Sequence, residues 1–154
     1  MAVGAKPRIW DTCSYVRRFG DRAVDAWIAD DLRHRRFLLC SVVVMELYAG
    51  ARDVRAKRAL DDLASSLGTL GLIVSPDAAD FQAVGVALNR YRRRKGAIDP
   101  RAHFRDALIA SCAIRRGAEV VTENLRDLSR WGEWLRPARP MRVLRPEALG
   151  ISPR

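Results

Sequence analysis

Two histidines, three cysteines and three lysines are all that this chain of 154 residues holds of those types, and each scarcity removes a class of function. Cys13, Cys40 and Cys112 are an odd, widely spaced set without a C-x-x-C pair, which argues against a disulfide framework. His34 and His103 lie too far apart for an i, i+4 zinc pair, and no H-E-x-x-H pattern accompanies them. The cysteines read as reduced, mostly buried small hydrophobes. No apolar run approaches the roughly 18 to 20 residues a membrane span requires, and the opening MAVGAKPRIWD has no signal-peptide core. A cytoplasmic protein with no membrane association is expected.

Lysine occurs only at Lys6, Lys57 and Lys95, so arginine supplies nearly all of the 28 basic residues that outweigh 18 acidic ones. The guanidinium fork binds phosphate while neutralising its charge, and a net charge of +10 favours a polyanionic partner. An Arg- and Ala-rich composition accounts for the same charge without any partner, so the balance supports nucleic acid without proving it. At 49% hydrophobic the chain is long enough for one packed core, and residues 1–154 are expected to form a single domain with a polar tail from about 145.

Arg8-Ile9-Trp10 reads as a strand ending at Asp11, followed by a short helix and then a helix over about 21–36, where Val24, Ala26, Trp27, Ile28 and Leu32 recur at helical spacing. The uninterrupted apolar run Phe37-Leu38-Leu39-Cys40 suits a strand covered on both faces. Ser41 is placed to cap the helix through Val42 to Ala49. A further helix over 54–67 is expected to close at Gly68, and Gly71 to Ser75 reads as a third strand. Pro76 is expected to fix the first turn of a long helix over 77–95 ended by Gly96. A helix over 101–116 ending at Gly117, a strand at 119–122 and a short strand at 141–144 complete the pattern. Alternation of this kind predicts an α/β fold, a central, mostly parallel sheet of four to five strands with helices on both faces, whose sites form beyond the carboxyl ends of the strands.

Four acids stand out, at the ends of expected strands or within apolar helices. Asp11 ends the first strand; alone it reads as a helix N-cap. Glu46 interrupts Val42-Val43-Val44-Met45 and Leu47, which leaves little of its helix facing water. Asp106 precedes Ala107-Leu108-Ile109-Ala110, and Cys112, Ala113 and Ile114 extend the apolar surround, so it needs a cation, a hydrogen bond or a metal. An ion pair with Arg101 or Arg105 would serve. Asp127 follows the fourth strand in Thr122-Glu123-Asn124-Leu125-Arg126-Asp127, which alone reads as a polar loop with a helix cap. Convergent acids repel one another and stay ionised near neutral pH only beside a compensating cation.

In order, Ile9-Trp10-Asp11-Thr12, Ser41-Val42-Val43-Val44-Met45-Glu46-Leu47-Tyr48-Ala49-Gly50, Asp106-Ala107-Leu108-Ile109-Ala110 and Val121-Thr122-Glu123-Asn124-Leu125-Arg126-Asp127-Leu128 resemble the motifs of PIN-domain ribonucleases. More narrowly they resemble those of the VapC-type toxins of toxin–antitoxin pairs. The resemblance implies a three-layer α/β/α domain in which Asp11, Glu46 and Asp106 form an acidic core and Asp127 completes it. Thr12, Ser41, Thr122 and Asn124 give polar support. It also implies an RNA substrate (tRNA, rRNA or mRNA, which it does not distinguish), a homodimer, and a VapB-type antitoxin that reaches the acidic groove with a basic side chain. Cys13, Arg105, Glu123 and Leu128 depart from the family pattern, which leaves the fourth acidic position open among Asp127, Asn124 and Glu123.

Carboxylates without sulfur or imidazole select Mg²⁺ or Mn²⁺, with Asp11 and Asp106 as expected direct ligands. Glu46 or Asp127 would hold a second ion or orient the attacking water in an in-line displacement at the phosphodiester. Arg92, Arg93 and Arg94, ahead of Lys95, either contact RNA together with Arg105 or complement the dipole of their helix. Trp131, Trp134 and Leu135 suit a core or an interface equally. Two other readings compete. A receiver-like Mg²⁺ signalling domain needs a lysine after a late strand, and none follows Lys95; a catalytically silent RNA-binding domain leaves four acids unexplained.

Overall fold

The computed structural model describes residues 6–18 and 22–150. Five strands, β1 (Arg8–Trp10), β2 (Phe37–Cys40), β3 (Ile73–Val74), β4 (Glu119–Val121) and β5 (Val143–Leu144), form one sheet in the order β3-β2-β1-β4-β5. Every pairing is parallel. Helices α1 (Thr12–Arg18), α2 (Arg22–Arg33), α3 (Ser41–Ala49), α4 (Val54–Thr69), α5 (Ala78–Lys95), α6 (Pro100–Arg116) and α7 (Leu125–Trp134) fill the connections. The chain steps outward from β1 to β3, then crosses back past β1 to β4 and β5. Crossovers of one hand therefore place the helices of the two halves on opposite faces, and α5, α6 and α7 pack together on theirs. The three-layer α/β/α architecture expected from the sequence is the one observed.

The direction in which successive strands are added to the sheet reverses at β1, and the register of β1 with β4 sets Trp10 beside Val121. At such a switch point the connections leave in opposite directions and open a crevice beyond the strand ends. Below it Ile9, Trp10, Phe37, Leu39, Val120, Leu128 and Trp131 are fully buried. This rigid floor fixes the last residue of each central strand.

Several boundaries differ from the sequence reading. β2 runs into α3 without a loop, so Cys40 occupies the N-cap position in an extended conformation and Ser41 is already the first helical residue, not the cap. α4 continues through Gly68, because the turn is made at Gly71, whose φ of 67° a side chain would resist. Pro76 lies outside α5: Asp77 is the N-cap and forms a reciprocal capping box with Asp80. The polar stretch after β4 is the helix α7, whose residues Leu128 and Trp131 enter the core. The presumed tail packs as well, through a 3-10 helix over Pro146–Leu149 with Leu149 buried. Trp131 is therefore core, in ring contact with Tyr91 and His103 at centroid separations of 5.4 and 5.6 Å, and Trp134 and Leu135 pack against it.

Candidate active site

Asp11 owes its place to the pairing of β1 with β4. Its N–H donates to the Val121 carbonyl at 2.9 Å, which sets its side chain beside Thr122 as the chain turns into α1. The carboxylate is 6% exposed. One oxygen accepts from the Thr12 N–H at 2.8 Å, the local bond a cap would make. The other accepts from the Thr122 hydroxyl at 2.8 Å and the Cys13 thiol at 3.0 Å. Thr122 in turn accepts from the Asn124 N–H at 2.9 Å, so its hydroxyl proton is directed at Asp11. All these donors are neutral: they orient the carboxylate without cancelling its charge. The Cys13 contact was not foreseen from the sequence, where this residue reads as a small hydrophobe; burial and then the Asp11 charge push its thiol up.

Asp106 stands on α6 where the helix passes from solvent into the core. Arg101, Ala102, Phe104 and Arg105 are exposed, whereas Ala107 through Ala113 are buried. The sequence reading of an all-round buried helix thus holds only beyond Asp106. Among the described residues Asp106 has no hydrogen-bond or ion-pair partner, and the arginine pairing offered for it is not formed. Burial, followed by the charges of Asp11, Asp127 and Glu46, pushes its carboxyl up to about 6, with Arg105 opposing. The charges of the other three acids read from the sequence are therefore all felt at Asp106.

Glu46 and Asp127 each carry an arginine. Arg105 Nη1 lies 3.0 Å from Glu46 Oε1, and the Thr12 hydroxyl donates to Glu46 Oε2. Arg130 Nη2 lies 3.1 Å from Asp127 Oδ1, while Asn124 Nδ2 donates to Asp127 Oδ2 at 3.0 Å. The Arg130 guanidinium also sits over the Tyr91 ring at 5.8 Å. Arg105, read from the sequence as an RNA contact, thus faces an acid of its own chain. Arg130 was missed, although its i, i+3 spacing from Asp127 is the signal for such a pair on a helix. Among the described residues no hydrogen bond ties Ser41 to the acids. Arg92, Arg93 and Arg94 are exposed on the last turn of α5.

The opposite end of the sheet shows what a matched set of acids looks like. Asp31, fully buried, takes Arg8 at 2.9 Å and Arg36 at 3.1 Å. Glu119 takes Arg8 at 3.4 Å and Arg142 at 3.0 Å. Every acid at this amino edge shares arginines, as burial demands. At the carboxyl edge Asp11 and Asp106 share none among the described residues.

That imbalance fits a divalent cation. Among the described residues no three His, Cys, Asp or Glu side chains form a ready-made metal cage. Mg²⁺ does not require one, being held commonly by one or two carboxylates plus waters and substrate phosphate. Asp11 and Asp106 are placed to supply two such carboxylates, and oxygen-only donors would suit Mg²⁺ or Mn²⁺.

Comparison with known proteins agrees with this geometry. Residues 11–132 match the model of the PIN domain family. VapC ribonuclease Mb1587 of Mycobacterium bovis and ribonuclease VapC11 of Mycobacterium tuberculosis are each 32% identical over 117 residues, covering 72% of this chain and 81% of those proteins. Among solved structures, VapBC-1 from nontypeable Haemophilus influenzae superposes with a TM-score of 0.63 at 16% identity, covering 90% of this chain and 96% of that one. DNA-bound VapBC from Salmonella typhimurium gives 0.59 at 20% identity, covering 92% and 98%. With the family match beginning at Asp11 and spanning all four acids, this chain belongs to the PIN domain family.

Proposed function

We propose that this chain is a metal-dependent endoribonuclease and the toxin half of a VapBC-type pair, hydrolysing RNA phosphodiester bonds under the control of a VapB-type antitoxin. The relatives compared above are named VapC ribonucleases, and the two structural neighbours compared above were solved as VapBC complexes. The observation that carries the reading is Asp106, held up to about 6 by burial and three neighbouring acids, with no ion-pair partner among the described residues. A site that destabilises its own charge in this way is arranged to receive a positive ion.

Asp11 and Asp106 would hold the ion. When bound, a divalent cation supplies charge that stabilises the developing negative charge on phosphate and acidifies a water. The chain's own residues do the rest. Thr122, Thr12 and Cys13 fix the orientation of Asp11, and the buried floor of β1 and β4 keeps that orientation rigid. Asp106 must lose its proton before it can bind a cation. Glu46 and Asp127 flank the pair and contribute negative charge.

RNA incubated with the purified protein should be cleaved with Mn²⁺ or Mg²⁺ present and left intact in EDTA, as read by gel; equal cleavage in EDTA would reject the reading. For the polyanion, the exposed Arg92, Arg93 and Arg94 offer a track beside the segment carrying Asp106. Changing two of them to Gln should weaken RNA binding irrespective of sequence and flatten the slope of log K against log salt by about 1 to 2. An unchanged slope would assign them to the α5 dipole alone.

A further inference from the structure

The four acids of the site are not equivalent, because two of them already have cations of their own. Glu46 has both carboxylate oxygens engaged, one by Arg105 at 3.0 Å and one by the Thr12 hydroxyl. Asp127 has both engaged as well, by Arg130 at 3.1 Å and Asn124 at 3.0 Å. Arginine stays protonated at any pH at which a protein is folded, so these two countercharges are permanent. The Arg130 guanidinium is further held over Tyr91, a ring that itself packs on Trp131 and Trp134. Arg105 is half-exposed, with nothing else among the described residues to hold it there except Glu46.

We infer that Arg105 and Arg130 are internal counter-ions that take Glu46 and Asp127 out of the cation-binding set, so that Asp11 and Asp106 alone hold a single divalent ion. This rests on the metal-site reading given above. The two arginines are positioning residues: they touch the flanking acids, and act on the bound cation through them and through their own charge. Arg105 does both, since its charge is also felt at Asp106. A full positive charge near enough to be felt at Asp106 would oppose the binding of a cation there directly, and removing it would also free a carboxylate to assist.

Mn²⁺ binding to the full chain, measured by calorimetry and by the loss of the free-ion electron paramagnetic resonance signal, tests this without reference to catalysis. The wild type should bind one equivalent. Arg105→Ser should bind Mn²⁺ about tenfold more tightly, and Arg105→Lys, which keeps the charge, should stay close to wild type. Arg130→Gln should tighten binding in the same direction. Circular dichroism of each variant verifies the fold, which the exposed position of Arg105 should preserve. Two equivalents in the wild type, unchanged affinity in Arg105→Ser, or equal tightening by Ser and Lys would overturn the inference. Failure of the underlying metal site looks different: no saturable Mn²⁺ binding by the wild type, or binding undiminished in Asp106→Asn.

Discussion

Asp106→Asn should abolish divalent-ion-dependent RNA cleavage, lowering the rate by about a thousandfold or more, while the protein remains folded. With Asp106 as one of the two proposed carboxylate ligands, its loss would remove several kcal/mol of charge stabilisation from the transition state, and each 1.36 kcal/mol is a factor of about ten. The effect on folding has the opposite sign. The carboxyl of Asp106 is pushed up to about 6 in the folded protein, against roughly 4 in an unfolded chain. Between those values the folded state binds the proton more tightly, so without metal its stability falls as pH rises from about 4 to 6, and the full cost persists above 6. Asparagine has no such titration. The metal-free variant should therefore melt no lower than the metal-free wild type at neutral pH, and should lose this component of the pH dependence. Wild-type Mn²⁺ binding should weaken by about tenfold per unit below pH 6, since one proton must leave for the ion to enter. Retained cleavage by the purified variant, or a melting temperature well below wild type, would remove Asp106 from the site and return it to the structural core.

Asp31→Ala should have the largest effect on stability among the acids outside the site. Asp31 is fully buried and accepts from Arg8 at 2.9 Å, Arg36 at 3.1 Å and the Trp10 indole N–H at 3.4 Å. Breaking one side of a buried ion pair typically costs 3 to 5 kcal/mol, because an uncompensated charge remains. Here each arginine keeps a second carboxylate, Glu119 for Arg8 and Asp30 for Arg36, so the lower end is expected, about 3 kcal/mol. For a chain of this length that corresponds to a fall of roughly 10 °C in melting temperature, read by circular dichroism in EDTA. Mn²⁺ affinity measured well below the transition should be unaffected, because the group lies at the opposite edge of the sheet. A fall of less than about 2 °C would mean that the two arginines reach water on losing Asp31.

The two substitutions act differently because the same residue type meets opposite surroundings at the two edges of one sheet. At the amino edge arginines arrive with the acids, and the charge is spent on folding. At the carboxyl edge Asp11 is oriented by hydroxyl, thiol and amide donors, and neither it nor Asp106 pairs with an arginine among the described residues. Of the two edges, only this one holds a buried or half-buried carboxylate without an arginine partner among the described residues.

Much of this was legible in the sequence. Short apolar runs at Ile9-Trp10, Phe37 to Cys40 and Val120-Val121 announce parallel strands because both faces of such a strand are covered. The acids Asp11, Glu46 and Asp106 declare themselves by interrupting apolar surroundings, a violation that a stable core does not carry without cause. Helix ends were read less well. Ser41 and Pro76 are good capping residues in general, but β2 leaves no loop before α3, and Asp77 with Asp80 makes the stronger local cap. α7 escaped notice because its polar first turn, with Asn124 and Asp127, looks like a loop until Leu128 and Trp131 are seen to enter the core.

Sequence by itself thus determined most of the elements, the parallel character of the sheet and which carboxylates are out of place, since these follow from local periodicity and from the cost of burying charge. Tertiary structure alone decided how those charges are partitioned. Arg105 reaches Glu46 rather than its own neighbour Asp106, and Arg130 is aimed at Asp127 while braced on Tyr91 from another helix. Arginine is long enough to reach several acids from one backbone position. For Arg105 the choice is set by the packing of α6 against α3, a contact distant in sequence that no local pattern encodes, whereas the Arg130–Asp127 pair lies i, i+3 on α7 and only its bracing on Tyr91 is tertiary.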